Sequence, residues 1–212
     1  MQVHLKETDA EKTDHEDSKV DKSESVTERV SLVINTTATR PLLEFGLAIL
    51  QNTGFIPKGS EVVTTESACQ WQSEQPVVIA GIRLHTHSRG VWMEALLEHK
   101  GRWQVVGEGD PSLPEDVLPV NGTRVVQRGD FLAARCYFRQ DPARDIPFGS
   151  SWTEEMCNLH VLYLLPIGAA PSIRFQLCTN QVPSIALRHL FPNLPSLRTD
   201  ISPEPEDREV GM

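Results

Sequence analysis

Short apolar runs, each closed by a turn signal, follow one another along most of this chain. That rhythm constrains the fold more than any other feature. Leu42 to Leu50 is an apolar segment with Gly46 inside it, and Asn52-Thr53-Gly54 then Ile56-Pro57-Lys58-Gly59 turn the chain. Glu61 to Trp71 and Val77 to His87 are rich in β-branched residues and read as strands. Val91 to Glu98 and Arg102 to Gly107 flank His99-Lys100-Gly101, a hairpin signal. Thr123 to Gln127, Phe131 to Phe138, Met156 to Leu165 and Ser172 to Cys178 complete the set. The Pro-rich stretches Asp110 to Pro119 and 139–153 read as loops, and Val182 to Leu197, with three prolines, as irregular chain or a short helix. Eight or nine short strands without an amphipathic helix or a repeat predict an all-β fold, an antiparallel β-sandwich of jelly-roll type.

Both ends differ from this pattern. Residues 1–31 and 199–212 are acidic and poor in large apolar side chains, a composition that cannot offset its ordering entropy. The expectation is two disordered acidic tails around one sandwich domain, residues 32–198. The net charge of −9 belongs almost wholly to those tails. The middle is nearly neutral and carries no basic stripe, so nucleic acid is not the expected partner. No apolar run reaches membrane-spanning length, and Met1 is followed by charged residues rather than a signal peptide. Four cysteines suit two disulfides and an oxidising compartment. Asn35-Thr36-Thr37 and Asn121-Gly122-Thr123 are candidate glycosylation sites. Two readings reconcile these features: a piece of a longer secreted protein, or a cytosolic chain with free thiols.

Two places carry chemistry. On a strand, side chains two apart share a face, which groups Arg83, His85 and His87. Two imidazoles at that spacing can converge on copper, zinc, iron or nickel. The same rule groups Met156, Asn158 and His160 on one face of the later strand, with Cys157 and Leu159 on the other. A thioether is a soft ligand suited to Cu(I). Two imidazoles and one thioether would leave a reduced copper ion an open position. Arg83 adds a guanidinium fork that matches a carboxylate. The bland alternatives are core packing for Met156 and a routine surface ion pair for Arg83.

Four ordered segments then carry a resemblance. They are Arg83-Leu84-His85-Thr86-His87, Gly129-Asp130-Phe131-Leu132-Ala133-Ala134-Arg135-Cys136, Glu155-Met156-Cys157-Asn158-Leu159 and Cys178-Thr179. Together they resemble the C-terminal, catalytic-copper domain of the copper type II ascorbate-dependent monooxygenases, on the peptidylglycine α-hydroxylating side of that family. The likeness spans about residues 42–185. It implies copper held by His85, His87 and Met156, one ion in this domain, with ascorbate as reductant. It implies that Arg83, Asn158 and the residue at 160 hold the terminal carboxylate of a glycine-extended peptide. The family's tyrosine at that last position is His160 here. It also implies disulfides Cys69–Cys178 and Cys136–Cys157, a secretory or extracellular location, and a separate N-terminal copper domain as electron donor, in cis or in trans. Nothing before residue 42 resembles that donor domain, so this single chain is expected to be incomplete as a monooxygenase. The competing expectation is a sandwich module, copper-binding or metal-free, that no longer catalyses.

Overall fold

The computed structural model describes residues 38–39, 42–111, 116–179 and 182–201. All but residues 38–39 fall in one compact unit, Pro41–Met212. The strands are β1 (Leu43–Gln51), β2 (Phe55–Ile56), β3 (Val62–Gln70), β4 (Val77–His85), β5 (Gly90–His99), β6 (Arg102–Gly109), β7 (Leu118–Val126), β8 (Phe131–Arg139), β9 (Ile146–Pro147), β10 (Asn158–Pro166), β11 (Phe175–Thr179) and β12 (Val182–Pro183). Two short helices, α1 (Pro171–Arg174) and α2 (Ser184–Leu190), flank β11 and β12.

Two five-stranded sheets form the sandwich. The first has the order β11-β1-β10-β4-β7 and the second β12-β3-β8-β5-β6, while β2 and β9 make a small separate ladder. Leu50, Ile82, Leu84, Leu159 and Val161 of the first sheet form one core with Met93, Leu97, Ala134 and Phe138 of the second. The β5–β6 turn places both Lys100 and Gly101 at positive φ, the geometry of a two-residue hairpin connection. Gly46 is needed for space rather than for φ, because a Cβ there would collide with the Tyr163 ring.

β8 is buried along almost its whole length. One of its faces meets the first sheet. The other lies under the segment from α2 to Arg198, which straps the second sheet. Leu187 and Leu194 pack on Ala68, Leu96 and Ala133 there. Arg135, only 1 % exposed, donates to Glu66 and Glu94 and to the carbonyls of Pro195 and Ser196. Arg188 closes a second pair with Glu66. A buried guanidinium is tolerated because both carboxylates and two carbonyls use its donors.

The all-β sandwich expected from the sequence is thus present, with several corrections. β11 pairs with β1 in parallel, Leu47 opposite Phe175, in an otherwise antiparallel arrangement. Ser172 does not begin a strand: Pro171 sits at the start of α1, where its fixed φ suits a first helical turn, and the strand begins at Phe175. β7 starts at Leu118, inside the stretch expected to be loop, because it pairs with Gly81 and Ile82 of β4. β4 stops at His85 and β10 starts at Asn158, so His87 and Met156 flank the strands rather than lie on them. Residues 1–31 and 202–212 of the expected tails, and Asn35, lie outside the described residues. Asn121 is exposed on β7.

Candidate metal centre

A β-bulge decides which way the candidate ligands face. In β4 the buried core positions are Val77 and Ile79 before the bulge, but Ile82 and Leu84 after it. The register against β7 slips between Ile79 and Gly81. That one-residue slip reverses the parity of the strand. Arg83 and His85 therefore point away from the core, where strict alternation from Val77 would have turned them inward. Gly81 within a β-branched run is the sequence signal of such a bulge.

The β4–β10 ladder completes the constellation. Asn158 stands opposite His85, and His160 opposite Arg83. Partners across an antiparallel ladder share a face, and Leu159 between them belongs to the core. One sheet face thus carries Arg83, His85, Asn158 and His160 together. His87 joins them from just beyond the strand, its ring 5.5 Å from that of His85. Metal–nitrogen bonds of about 2.0–2.1 Å allow two imidazoles at roughly this separation to share one ion. Met156 is brought in from the other side: Asn158 Nδ2 lies 3.2 Å from its sulfur.

Glu155 organises this end of the site, a role its position in the sequence did not suggest. It is 1 % exposed, and its carboxylate accepts from the backbone N–H groups of His87 at 2.8 Å, Arg89 at 2.6 Å and Met156 at 3.3 Å. Burial raises its pKa, and the three N–H donors work against that rise. By taking the N–H groups of both His87 and Arg89, Glu155 explains why the chain leaves β4 where it does. The next residue back contributes as well, since His87 Nδ1 lies 2.7 Å from the Glu154 carbonyl. A carbonyl only accepts, so in the neutral imidazole Nδ1 carries the proton and Nε2 the lone pair. This is the orientation that a metal-binding histidine commonly receives from a backbone carbonyl.

His160 has a different character. Its ring centroid is 6.4 Å from that of His85. Burial, then the charge of Arg83, push its pKa down to about 4, while a hydrogen bond to the Arg83 backbone partly opposes them. It is therefore neutral at physiological pH. Burial also lowers the pKa of Arg83. Among the described residues no three His, Cys, Asp or Glu side chains form a metal-holding group. The Met156 thioether, held by Asn158 opposite His85, is the candidate third donor. The donor set of two imidazoles and a thioether fits copper.

The cysteines lie where the resemblance implied. Cys69 and Cys178 pair with a Cα separation of 6.2 Å, and Cys136 and Cys157 with one of 6.0 Å. The first bridge joins β3 of the second sheet to β11 of the first, and the second joins β8 to the residue just before β10.

Fold and site together define a class, and the chain belongs to it. Residues 41–191 match the family of the copper type II ascorbate-dependent monooxygenases, C-terminal domain. That family is defined by copper and by dependence on ascorbate. Among individual proteins the chain is similar to the peptidyl-glycine alpha-amidating monooxygenase of Mus musculus, 29 % identical over 183 residues, which are 86 % of this chain and 17 % of that protein. The Rattus norvegicus enzyme gives the same figures. The B form from Xenopus laevis is 28 % identical over 207 residues, 96 % of this chain and 22 % of that protein. The chain therefore spans only about a fifth of the length of these relatives. Among the described residues no helix is long and apolar enough to cross a membrane.

Proposed function

We propose that this chain is the catalytic-copper domain of a peptidylglycine α-hydroxylating monooxygenase. In this reading it hydroxylates the α-carbon of a C-terminal glycine, the first step of peptide amidation, in an oxidising compartment of the secretory pathway or outside the cell. His85, His87 and Met156 hold one copper ion. Bound copper supplies one-electron redox chemistry and a position for dioxygen. The observation that carries the reading is the sheet face on which Arg83 stands beside His85, with His87 and the Asn158-held thioether joining from just beyond the strand ends.

The chain's own residues have distinct tasks in that reading. Glu154 and Glu155 fix the tautomer and position of His87. Asn158 holds the sulfur of Met156. Arg83 takes the substrate carboxylate bidentately. His160, neutral beside Arg83, lines the carboxylate site without adding charge. The electrons come from ascorbate through an N-terminal copper domain, in cis or as a separate chain. A second reading, a copper-binding module without turnover, is favoured by His160 in the place of the family tyrosine.

Copper stoichiometry after reductive loading of the disulfide-intact chain tests the proposal. About one Cu(I) per chain is expected, with weaker binding in Met156→Ala and His85→Ala. No specific copper would sink the enzyme reading. If copper binds, turnover of a glycine-extended peptide with the donor domain added separates enzyme from module.

A further inference from the structure

The bulge in β4 has a larger counterpart on the neighbouring strand. Ile79 stands opposite Arg124, and Gly81 opposite Pro119. Residues 120–123 of β7 therefore face Ala80 alone and bow out of the ladder. Val120 anchors the bow, packed against the core. Asn121, Gly122 and Thr123 are all exposed. Gly122 has a φ of 71°, left-handed backbone that glycine adopts without strain.

The exposed residues are the acceptor triplet for N-linked sugar, Asn-x-Thr with a residue other than proline between. A sugar added to the unfolded chain must still find room once the chain folds. The bow supplies that room. Outside its chain neighbours, a Cβ at 122 would come no nearer than 3.5 Å, to the Arg124 guanidinium.

The position also has a use for a bulky hydrophilic group. β7 is the end strand of the first sheet and β6 of the second, and the two touch. An end strand offers unpaired backbone groups, a template for pairing with another chain. Val105, Val117 and Leu118 beside this edge are 43 %, 50 % and 37 % exposed. Pro119 removes one backbone donor from β7, and a sugar on Asn121 would cover the strand beyond it.

Resting on the secretory compartment proposed above, we infer that Asn121 carries an N-linked oligosaccharide that shields the β7 edge. In the transfer, Asn121 Nδ2 bonds to C1 of the first sugar and gives up one proton. The bond from C1 to the diphosphate of a lipid-linked oligosaccharide breaks, and the lipid diphosphate leaves with the electron pair. Ala80 precedes His85 by five residues, roughly 16 Å along β4, so the attachment point stands clear of the metal ligands.

The test is expression of the full chain behind a cleavable leader in a eukaryotic secretory host. Peptide mapping follows, before and after an amidase that converts glycosylated Asn to Asp. Most chains are expected to show Asp at 121 after treatment. Asn121→Gln and Thr123→Ala should lose the modification, and Thr123→Ser should keep it. In sedimentation, wild type should stay monomeric at concentrations where Asn121→Gln self-associates. Removing the sugar from wild type should reproduce that association, and thermal melts of the variants check folding. Secreted chains with both disulfides closed and Asn121 unmodified would overturn the site while the compartment stands. Secreted chains whose four cysteines stay free would sink the compartment and this inference with it. Full modification with equal sedimentation of wild type and Asn121→Gln would overturn the shielding.

Discussion

Asn158 stands opposite His85 in the β4–β10 ladder, and its side-chain nitrogen approaches the sulfur of Met156 at 3.2 Å. One residue thereby ties the strand that carries an imidazole to the segment that carries the thioether. Supporting hydrogen bonds of this kind commonly contribute 10–100-fold to metal affinity. Asn158→Ala is expected to weaken Cu(I) binding by about tenfold, measured by competition with a chromogenic chelator. Its thermal stability should change little. An unchanged affinity would mean that Met156 positions itself.

Glu155 supports the other side. Glu155→Gln keeps the volume but replaces one acceptor oxygen with an NH2 group facing a backbone N–H. Leaving a buried donor unsatisfied costs about 1–3 kcal/mol, so a urea midpoint should fall accordingly. Because the same carboxylate fixes the His87 N–H, copper affinity should fall as well. A stable variant with normal copper binding would remove Glu155 from the site.

His160 makes stability depend on pH. Its pKa falls from the ordinary 6.5 to about 4 in the folded chain. Between these values the unfolded chain holds a proton that the folded chain does not. Stability should therefore fall as pH drops from about 6.5 towards 4, by an amount on the order of 2 kcal/mol. Urea unfolding of the copper-free chain at pH 7 and pH 4.5 measures it. In His160→Tyr, which has no group titrating in this range, the slope should flatten. Equal slopes in both proteins would assign the pH dependence to other groups.

The two disulfides should differ in their response to reductant. Cys136 and Cys157 are both fully buried. Cys69 and Cys178 line an open cavity of about 390 Å³, and Cys178 is only half-buried. Thiolate exchange needs access to sulfur. Mild reduction followed by alkylation and peptide mapping should label Cys69 and Cys178 first. Simultaneous labelling of all four would show that the sandwich opens as a unit.

Much of this was legible beforehand, for identifiable reasons. Turn signals marked most strands, and the hairpin at Lys100-Gly101 follows from a glycine at the position that needs positive φ. The His85-x-His87 and Met156-x-Asn158-x-His160 spacings grouped residues that the structure brings together. Period-two reasoning alone did not give their direction, because the bulge before Gly81 reverses the parity of β4. Glu155 was hidden for another reason: a carboxylate next to another carboxylate looks like solvated surface, and only the tertiary fold reveals three N–H groups converging on it. The strap over the second sheet was equally hidden. Its prolines break local pattern, while its hold on Arg135 depends on residues about sixty positions away.

The Cys136–Cys157 bridge has a consequence for how this protein can go wrong. A strand that slides by one residue exchanges its two faces, and a slide of β10 would swap Asn158 and His160 for Leu159 and Val161. The covalent anchor sits immediately before Asn158, at the origin from which the strand's alternation is counted. It therefore works as an index mark, fixing the phase of β10 against β4. A chain that failed to close it could keep its overall architecture and still present the wrong half of its alphabet to the outside.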